Sequence, residues 1–539
     1  MKLAKTEKKF LVLLCTAVVI ITSLPYFVNY LRTPKDRIYT GIQQLTKYDI
    51  STYYSFIEQG RQNKIICKNL YSPEKQSPVV FTPQWFLLGQ AANLFHLSTP
   101  LIYQLARIGF GILLIYLLYK FIAGIISDSK IRMITTGILV FMTGFGIFIP
   151  IKNFLWAVEH IAIPVELWVP ESSVFLTLYH NPLFLMALCL LLGILMLFEK
   201  ALEKPQTFFV WLTSGLALVL AIIHPYDIFL LAGILAAWLV IRLAVDKSLI
   251  KQKAFIKAFL MFLPGVIYLW ITRMAFQAQP ALEGWLKQNN TPSPAFWWYL
   301  PAFLIPIILG IFGIAKMFSL KNNRANLILA WALVVPVLLY LPYFPYQRRM
   351  EQGWLIPLGI VATFGAWRLW QKIKIKFKSE MNQSMILGLV LSIFFVLTMS
   401  TSLYRLIADV SDVNLEKAPT TISQNLRSAY VWFKNNIDYN AVVLANNIES
   451  NLLPGWSGRT VYYGHCDLSA NYKEKSKNVK IFFTDPLRLN PQAFFKNSRV
   501  DYLLLNLNQD TAVIDLINQN KITATKIYSN SEYGIYQVN

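Results

Sequence analysis

The stretch that organises the chain is Thr46–Gly60, TKYDISTYYSFIEQG. It follows the first apolar segment and lies in a long polar loop. Asp49 stands at its head, followed by Tyr53, Tyr54, Ile57 and Gly60. This spacing predicts a short amphipathic helix lying along a membrane surface, with Asp49 capping its N-terminus and Gly60 ending it. A carboxylate held at the membrane–water boundary is well placed for acid–base chemistry on a lipid-linked substrate. Capping and catalysis are compatible, because a cap carboxylate is rigid and, if partly desolvated, becomes a better base. Asp36 in the same loop is the alternative, but Lys35 and Arg37 flank it as around a solvated charge.

Composition sets the solvent. Of 539 residues, 55% are hydrophobic and 14% charged, where soluble domains run near a quarter charged. The apolar residues gather into runs of about 18 or more, the length that crosses a bilayer. The chain therefore reads as a polytopic α-helical membrane protein. The run Phe10–Val28 follows Lys2, Lys5, Lys8 and Lys9, with no small-residue cleavage site after it, so it reads as a retained first span. The net charge of +22 lies mostly beside apolar runs, where it orients spans and meets anionic lipid. Residues 405–539 carry 14 Lys/Arg against 12 Asp/Glu, which argues against a nucleic-acid partner. Four cysteines form no framework. Cys15 and Cys189 fall in apolar spans, and a Cys67–Cys466 disulfide is left open.

The runs predict about eleven spans, at 10–30, 100–124, 131–150, 173–198, 207–223, 227–243, 256–275, 296–317, 326–343, 354–371 and 384–404. Alternated from a cytoplasmic N-terminus, they put most loop Lys and Arg residues inside, as at Lys130/Arg132, Lys200/Lys204 and Lys372/Lys374/Lys376/Lys378. The C-terminus then falls outside the cell. The expected division is a multi-span domain over 1–404, with a first extracytoplasmic loop at 32–99, and an extracytoplasmic domain over 405–539.

The loop holds the Asp49 helix and a second interfacial helix over Phe81–Phe95. In the tail, Ser423–Ile437 and Thr511–Asn518 have helical spacing. Ala441–Ala445, Thr460–Tyr463, Tyr502–Leu505 and Gly534–Val538 read as short strands. Alternating helices and apolar strands predict a small α/β domain. No internal repeat is visible.

Besides Asp49, three constellations could carry chemistry. The predicted outside turn Tyr343-Phe344-Pro345-Tyr346-Gln347-Arg348-Arg349 breaks the positive-inside pattern. A phosphate would compensate, since guanidinium forks match its oxygens; the plainer reading pairs the arginines with Glu351 or with lipid headgroups. Tyr179-His180-Asn181-Pro182 is preceded by Glu166 and Glu171, and its plainer reading is a packing histidine. His224-Pro225-Tyr226-Asp227 reads either as a site or as a tight turn in which Asp227 caps the next span. All these groups, with Arg273, fall on one predicted side of the membrane, where ionisable groups at span ends are functional candidates. The sequence carries no Walker loop, no Gly-rich dinucleotide fingerprint and no metal-spaced Cys/His cluster. A nucleotide-driven reaction is therefore poorly supported, and a lipid-phosphate carrier suits an activated donor used outside the cell.

With these residues on the page, the chain resembles the GT-C glycosyltransferases, in particular bacterial protein-mannosyltransferase-like and arabinosyltransferase-like branches. The resemblance rests on Tyr48-Asp49 with Tyr53-Tyr54 and Gly60, on Asn181-Pro182, on His224-Pro225-Tyr226-Asp227, and on Gln347-Arg348-Arg349 with Gly353 and Pro357. In the tail it rests on Ser457-Gly458-Arg459 and on Val461-Tyr462-Tyr463-Gly464-His465. It implies a polyprenyl-phosphate-linked sugar as donor and Asp49 as the catalytic acid residue. Many members carry two acidic residues in sequence there; this chain has Tyr48-Asp49, which leaves a divalent metal open but not favoured, and implies no other cofactor.

The expected function is an inverting glycosyltransferase acting on the extracytoplasmic side of the plasma membrane. Asp49 is the general base, and Arg348 and Arg349 hold the donor phosphate. Tyr53, Glu166, Glu171, His180, His224, Asp227, Arg273 and Tyr346 are further candidates for the cavity. The acceptor is a glycan, lipid or protein hydroxyl. A transporter or flippase of lipid-linked saccharides, or a non-catalytic envelope scaffold of the same fold, are the alternatives; a transporter would need charges within its spans and paired broken helices.

Overall fold

A computed structural model describes residues 3–43, 45, 48–149, 163–203, 207–245, 254–320, 322–376, 380–411 and 413–539. Thr46, Lys47, Lys204 and Lys378, used in the sequence reading, lie outside the described residues. The chain forms two compact units. One comprises Met1–Pro25, Ala106–Leu269 and Thr291–Ser411; the other comprises Tyr26–Leu105, Trp270–Asn290 and Asp412–Asn539.

Among the described residues, seven helices are long and apolar enough to cross a membrane: Lys5–Arg32, Thr99–Ala123, Pro182–Leu202, Tyr226–Ala244, Phe259–Gln277, Leu300–Ser319 and Ser384–Ser411. Phe208–Ile223 and Asn323–Leu339 are shorter apolar helices. In hydrocarbon a helix satisfies all its own backbone hydrogen bonds, which is why the apolar runs fold this way. Val12, Leu13 and Ile20 of the first helix are each at least 60% exposed, which a lipid-facing surface tolerates. The chain is a multi-pass membrane protein.

The predicted spans 207–223 and 326–343 fall on the two shorter helices, 354–371 falls on helix Leu355–Lys376, which is not among the seven, and two further predicted spans differ in kind. In place of a span over 131–150, the helix Ser129–Phe141 has 13 residues. At 1.5 Å per residue that is about 20 Å, too short for a hydrocarbon core of about 30 Å. The predicted span 173–198 is two helices, Val174–His180 and Pro182–Glu203. Asn181 between them is extended, with ψ 115°, and its Oδ1 accepts the Leu183 amide at 2.9 Å. Pro182 opens the second helix, where its missing N–H costs nothing.

The first unit closes around aliphatic residues such as Leu114, Leu118, Leu188 and Ile356, all fully buried. Two of its buried arginines are well partnered. Arg107 donates to Thr22 Oγ1 (3.0 Å), the Leu178 carbonyl (2.9 Å) and Ser23 Oγ (3.0 Å). Arg132 pairs with Glu7, which also accepts from the Tyr119 hydroxyl.

The second unit has a five-stranded sheet in the order Thr460–Val461, Val442–Leu444, Tyr502–Asn506, Tyr533–Val538, Ala524–Ser529. The first three strands are parallel, and the last two pair antiparallel. This is the expected small α/β domain. The loop strand Arg37–Tyr39 pairs antiparallel with Thr421–Ser423, and Arg37 Nε donates to Thr421 Oγ1 at 2.7 Å. Helix Asp49–Arg61 lies between two partners. A Cβ on Gly455 of helix Asn447–Ser457 would come within 2.9 Å of Tyr54 Cβ and 3.0 Å of the Ser51 carbonyl. On the other side, a Cβ on Gly89 of helix Pro83–Leu94 would lie 2.6 Å from Arg61 N.

Candidate functional site

Asp49 is the first residue of helix Asp49–Arg61. Tyr48 occupies the N-cap position in a helical conformation, and no side chain caps the helix, so the expected capping role of Asp49 is not realised. Its carboxylate still meets the favourable end of the helix dipole. Gly60 does not end the helix either, since Arg61 is its last residue. Gly60 is instead a contact glycine: a Cβ there would lie 2.8 Å from Phe86 Cα.

The Asp49 side chain is 55% exposed, and its Oδ1 lies 3.4 Å from Nε2 of His465, which is 5% exposed. The imidazole is held on several sides. Its Nδ1 accepts the Asp467 amide at 3.1 Å, the Tyr71 ring meets it edge-on at 5.9 Å, and the His465 amide donates to Ser469 Oγ at 3.2 Å. Burial disfavours a charge on this ring, while Asp49 and Cys466 favour one. The amide contact opposes that second proton, because Nδ1 accepts only while it carries no hydrogen. With the Asp467 amide donating to Nδ1, the resting ring is the tautomer whose Nε2–H turns to Asp49. Tyr53 continues the same helix into an aromatic stack, with its ring 5.0 Å from Trp85 and 6.3 Å from Tyr103.

His465, Cys466 and Asp467 form a compact group of metal-ligand types, with donor atoms within 4.8 Å of one another. They fit a metal poorly, since Nδ1 is occupied by the Asp467 amide and Nε2 faces Asp49. Cys67 and Cys466 are both free thiols, Cys67 buried and Cys466 exposed.

The other unit contains the arginine turn, a short 3-10 helix over Gln347–Glu351. Gly353 ends it at φ +67°, where a Cβ would lie 2.6 Å from Leu188 Cδ2, so both conformation and space demand glycine. The Arg348 amide donates to the Thr291 carbonyl at 3.0 Å, which fixes the turn to the neighbouring segment. Arg349 pairs with Glu171 and its guanidinium lies over the Tyr226 ring at 5.7 Å. Arg348 lies over Trp168 at 4.5 Å. Tyr346 packs on Tyr226 at 4.7 Å.

The plainer alternative of pairing the arginines with Glu351 does not hold for Arg349, which Glu171 takes instead. Burial works to raise the pKa of Glu171, but Arg349 and Arg348 outweigh it and hold the carboxyl below its ordinary value. Glu351 is fully buried, and among the described residues neither of its oxygens has a hydrogen-bond partner. Burial and the nearby Glu171 push its pKa well above the carboxylate range. Glu166 accepts the Gly146 amide at 2.8 Å through one oxygen, and burial lifts its pKa to about 8.

His224 Nδ1 lies 3.0 Å from Asp227 Oδ1, both buried, at the start of helix Tyr226–Val245. His180 is fully buried against Tyr179, ring to ring at 4.4 Å. Arg273 is exposed and has no ion-pair partner among the described residues. Of the sequence candidates, Asp49, Tyr53 and Arg273 belong to one unit. Glu166, Glu171, His180, His224, Asp227, Tyr346, Arg348 and Arg349 belong to the other. The contact of His465 with Asp49 was not read from the sequence, although the segment ending in His465 was singled out.

No protein-family model and no curated protein sequence matches the chain. Solved structures do. The chain is similar to the archaeal oligosaccharyltransferase AglB from Archaeoglobus fulgidus, solved with an inhibitory peptide and a dolichol-phosphate. That match has TM-score 0.54 and 12% identity, over 99% of this chain and 74% of that one. It is also similar to ArnT from Cupriavidus metallidurans bound to undecaprenyl phosphate, with TM-score 0.51 and 12% identity over 97% of this chain and 98% of that one. The chain is a polytopic α-helical membrane protein with the GT-C fold and a small C-terminal α/β domain.

Proposed function

We propose that the chain is an inverting glycosyltransferase that moves a sugar from a polyprenyl-phosphate donor to an acceptor hydroxyl on the extracytoplasmic side of the membrane. The observation that carries this reading is the half-exposed Asp49 carboxylate, faced by the buried Nε2 of His465. A base must reach its substrate and be held in one orientation, and this pair offers both. Likeness to folds solved with dolichol-phosphate and undecaprenyl phosphate supports a lipid-linked donor.

In this reading Asp49 takes the proton of the acceptor hydroxyl as its oxygen bonds to the anomeric carbon. The bond from that carbon to the donor phosphate breaks, and the lipid phosphate leaves with the electron pair. Attack opposite the leaving group inverts the anomeric centre. Arg348 and Arg349 stabilise the departing phosphate, because guanidinium forks meet its oxygens where charge develops. Every step of this reading is carried by the chain's own residues, and His465, with its ring nitrogens engaged by the Asp467 amide and Asp49, serves to orient the base.

The test uses membranes from cells expressing the chain, supplied with polyprenyl phosphates carrying labelled sugars. Label should leave the lipid with the wild type. Asp49→Ala should lower that rate by about a hundredfold or more, without lowering the melting temperature in detergent. Normal turnover in Asp49→Ala overturns the reading and moves the transporter and scaffold alternatives ahead.

A further inference from the structure

Glu351 is the anomaly of the arginine turn. A fully buried carboxylate with two unpartnered oxygens is costly in the ionised form, and the cost falls away when the group takes a proton. Its charged and titratable neighbours are Glu171, Arg348, Arg349 and Glu166, together with the phenols of Tyr299 and Tyr340. Arg349 is already engaged by Glu171. If Glu351 and Glu166 were both ionised, three carboxylates would face two guanidinium groups and the turn would repel an anion. With both neutral, two guanidinium groups face one carboxylate and a single positive charge remains. That charge matches the one negative charge of a phosphodiester-linked donor.

We propose that Glu351 belongs to the anion site as a neutral carboxylic acid, and that the proton it holds decides whether the arginine turn accepts a phosphate. The inference rests on the assignment of Arg348 and Arg349 to the donor phosphate and adds a residue to that site. Glu351 acts here through charge, as a positioning residue. The sign is fixed. Phosphate affinity is highest while Glu351 is protonated, and it is lost as pH rises through the carboxyl's elevated pKa. Glu166, at about 8, adds a loss of the same sign.

The probe is undecaprenyl monophosphate in mixed micelles, with dissociation constants measured from pH 7.5 to 10. In that range the phosphate's own second ionisation, near pH 6, is complete. Both proteins compared carry Glu166→Gln, so the other titrating carboxyl is removed. Glu166→Gln alone should lose affinity by about tenfold or more as Glu351 gives up its proton with rising pH, the size expected when a buried neutral group becomes a like charge beside the anion. Adding Glu351→Gln should remove most of that loss. Infrared difference spectra of the wild type should show a protonated carboxyl band that shifts on adding the lipid phosphate and is missing in Glu351→Gln. The same pH slope with and without Glu351→Gln, or no such band, overturns the inference. If Arg348→Ala and Arg349→Ala leave affinity unchanged at every pH, the assignment of the arginines to the phosphate falls, and the Glu351 inference falls with it. If the arginine variants weaken binding but the slope ignores Glu351, only the Glu351 inference falls.

Discussion

Nε2 of His465 lies 3.4 Å from Oδ1 of Asp49, and the Asp467 amide fixes the ring by donating to its Nδ1. An exposed carboxylate at a helix start would otherwise sample several rotamers; the buried ring favours one of them. His465→Ala should therefore lower kcat by roughly ten- to a hundredfold, the range seen when an orienting partner is lost, with KM little changed. His465→Gln, which keeps an N–H donor, should recover part of the loss. A kcat for His465→Ala equal to the wild type would remove His465 from the mechanism.

The pair of Glu171 with Arg349 makes a different prediction. Glu171 is 1% exposed and Arg349 21%. Removing the arginine strands a buried carboxylate, a change that costs about 3–5 kcal/mol for a buried pair. Arg349→Ala should lower the thermal midpoint in detergent more than Arg348→Ala does, and adding Glu171→Gln to Arg349→Ala should restore part of it. Equal midpoints for the two arginine variants would show that the pair carries no structural weight.

Gly60 and Gly89 let helices Asp49–Arg61 and Pro83–Leu94 touch backbone to backbone. A Cβ on Gly89 would meet Arg61 N and the Ile57 carbonyl, both at 2.6 Å, and neither is a flexible side-chain end. Gly89→Ala should cost about 1–3 kcal/mol and, by shifting the Asp49 helix, should reduce transfer as well. Unaltered melting and transfer in Gly89→Ala would contradict this packing.

Cysteine labelling reads both burial and side. Cys466 is exposed, whereas Cys67 is buried, 3.2 Å from Thr82 Oγ1, and burial lifts its pKa to about 11. An unreactive thiol at neutral pH follows from that environment. A membrane-impermeant maleimide added to intact cells should modify Cys466 and spare Cys67. Labelling of Cys466 only after the membrane is opened would put the α/β domain on the cytoplasmic side, against the proposed orientation.

Much of the architecture was legible because the bilayer restricts the choices. A long apolar run has one way to satisfy its backbone, so the predicted stretches contain helices. Thr511–Asn518 was read with the bounds it has in the structure. The shortfalls have physical causes. Strand Ala524–Ser529 was missed because it lies at a sheet edge with a largely exposed surface and shows no apolar alternation. Helix Tyr472–Thr484 was missed because its first two turns are polar and rich in lysine. The span over 131–150 was overread because its apolar run continues past Phe141, where the helix stops.

Sequence alone establishes the membrane class and the presence of Asp49, Arg348 and Arg349 in polar segments between apolar runs, while the break at Asn181-Pro182 emerges only in the folded chain. The first two depend on local composition. Three-dimensional packing is what brings His465 to face Asp49, gives Arg349 to Glu171 rather than the nearby Glu351, and buries Glu351 without a hydrogen-bond partner among the described residues. These are pairings between distant segments. The energy of a buried charge depends on which groups surround it in space, and no pattern along the chain records that.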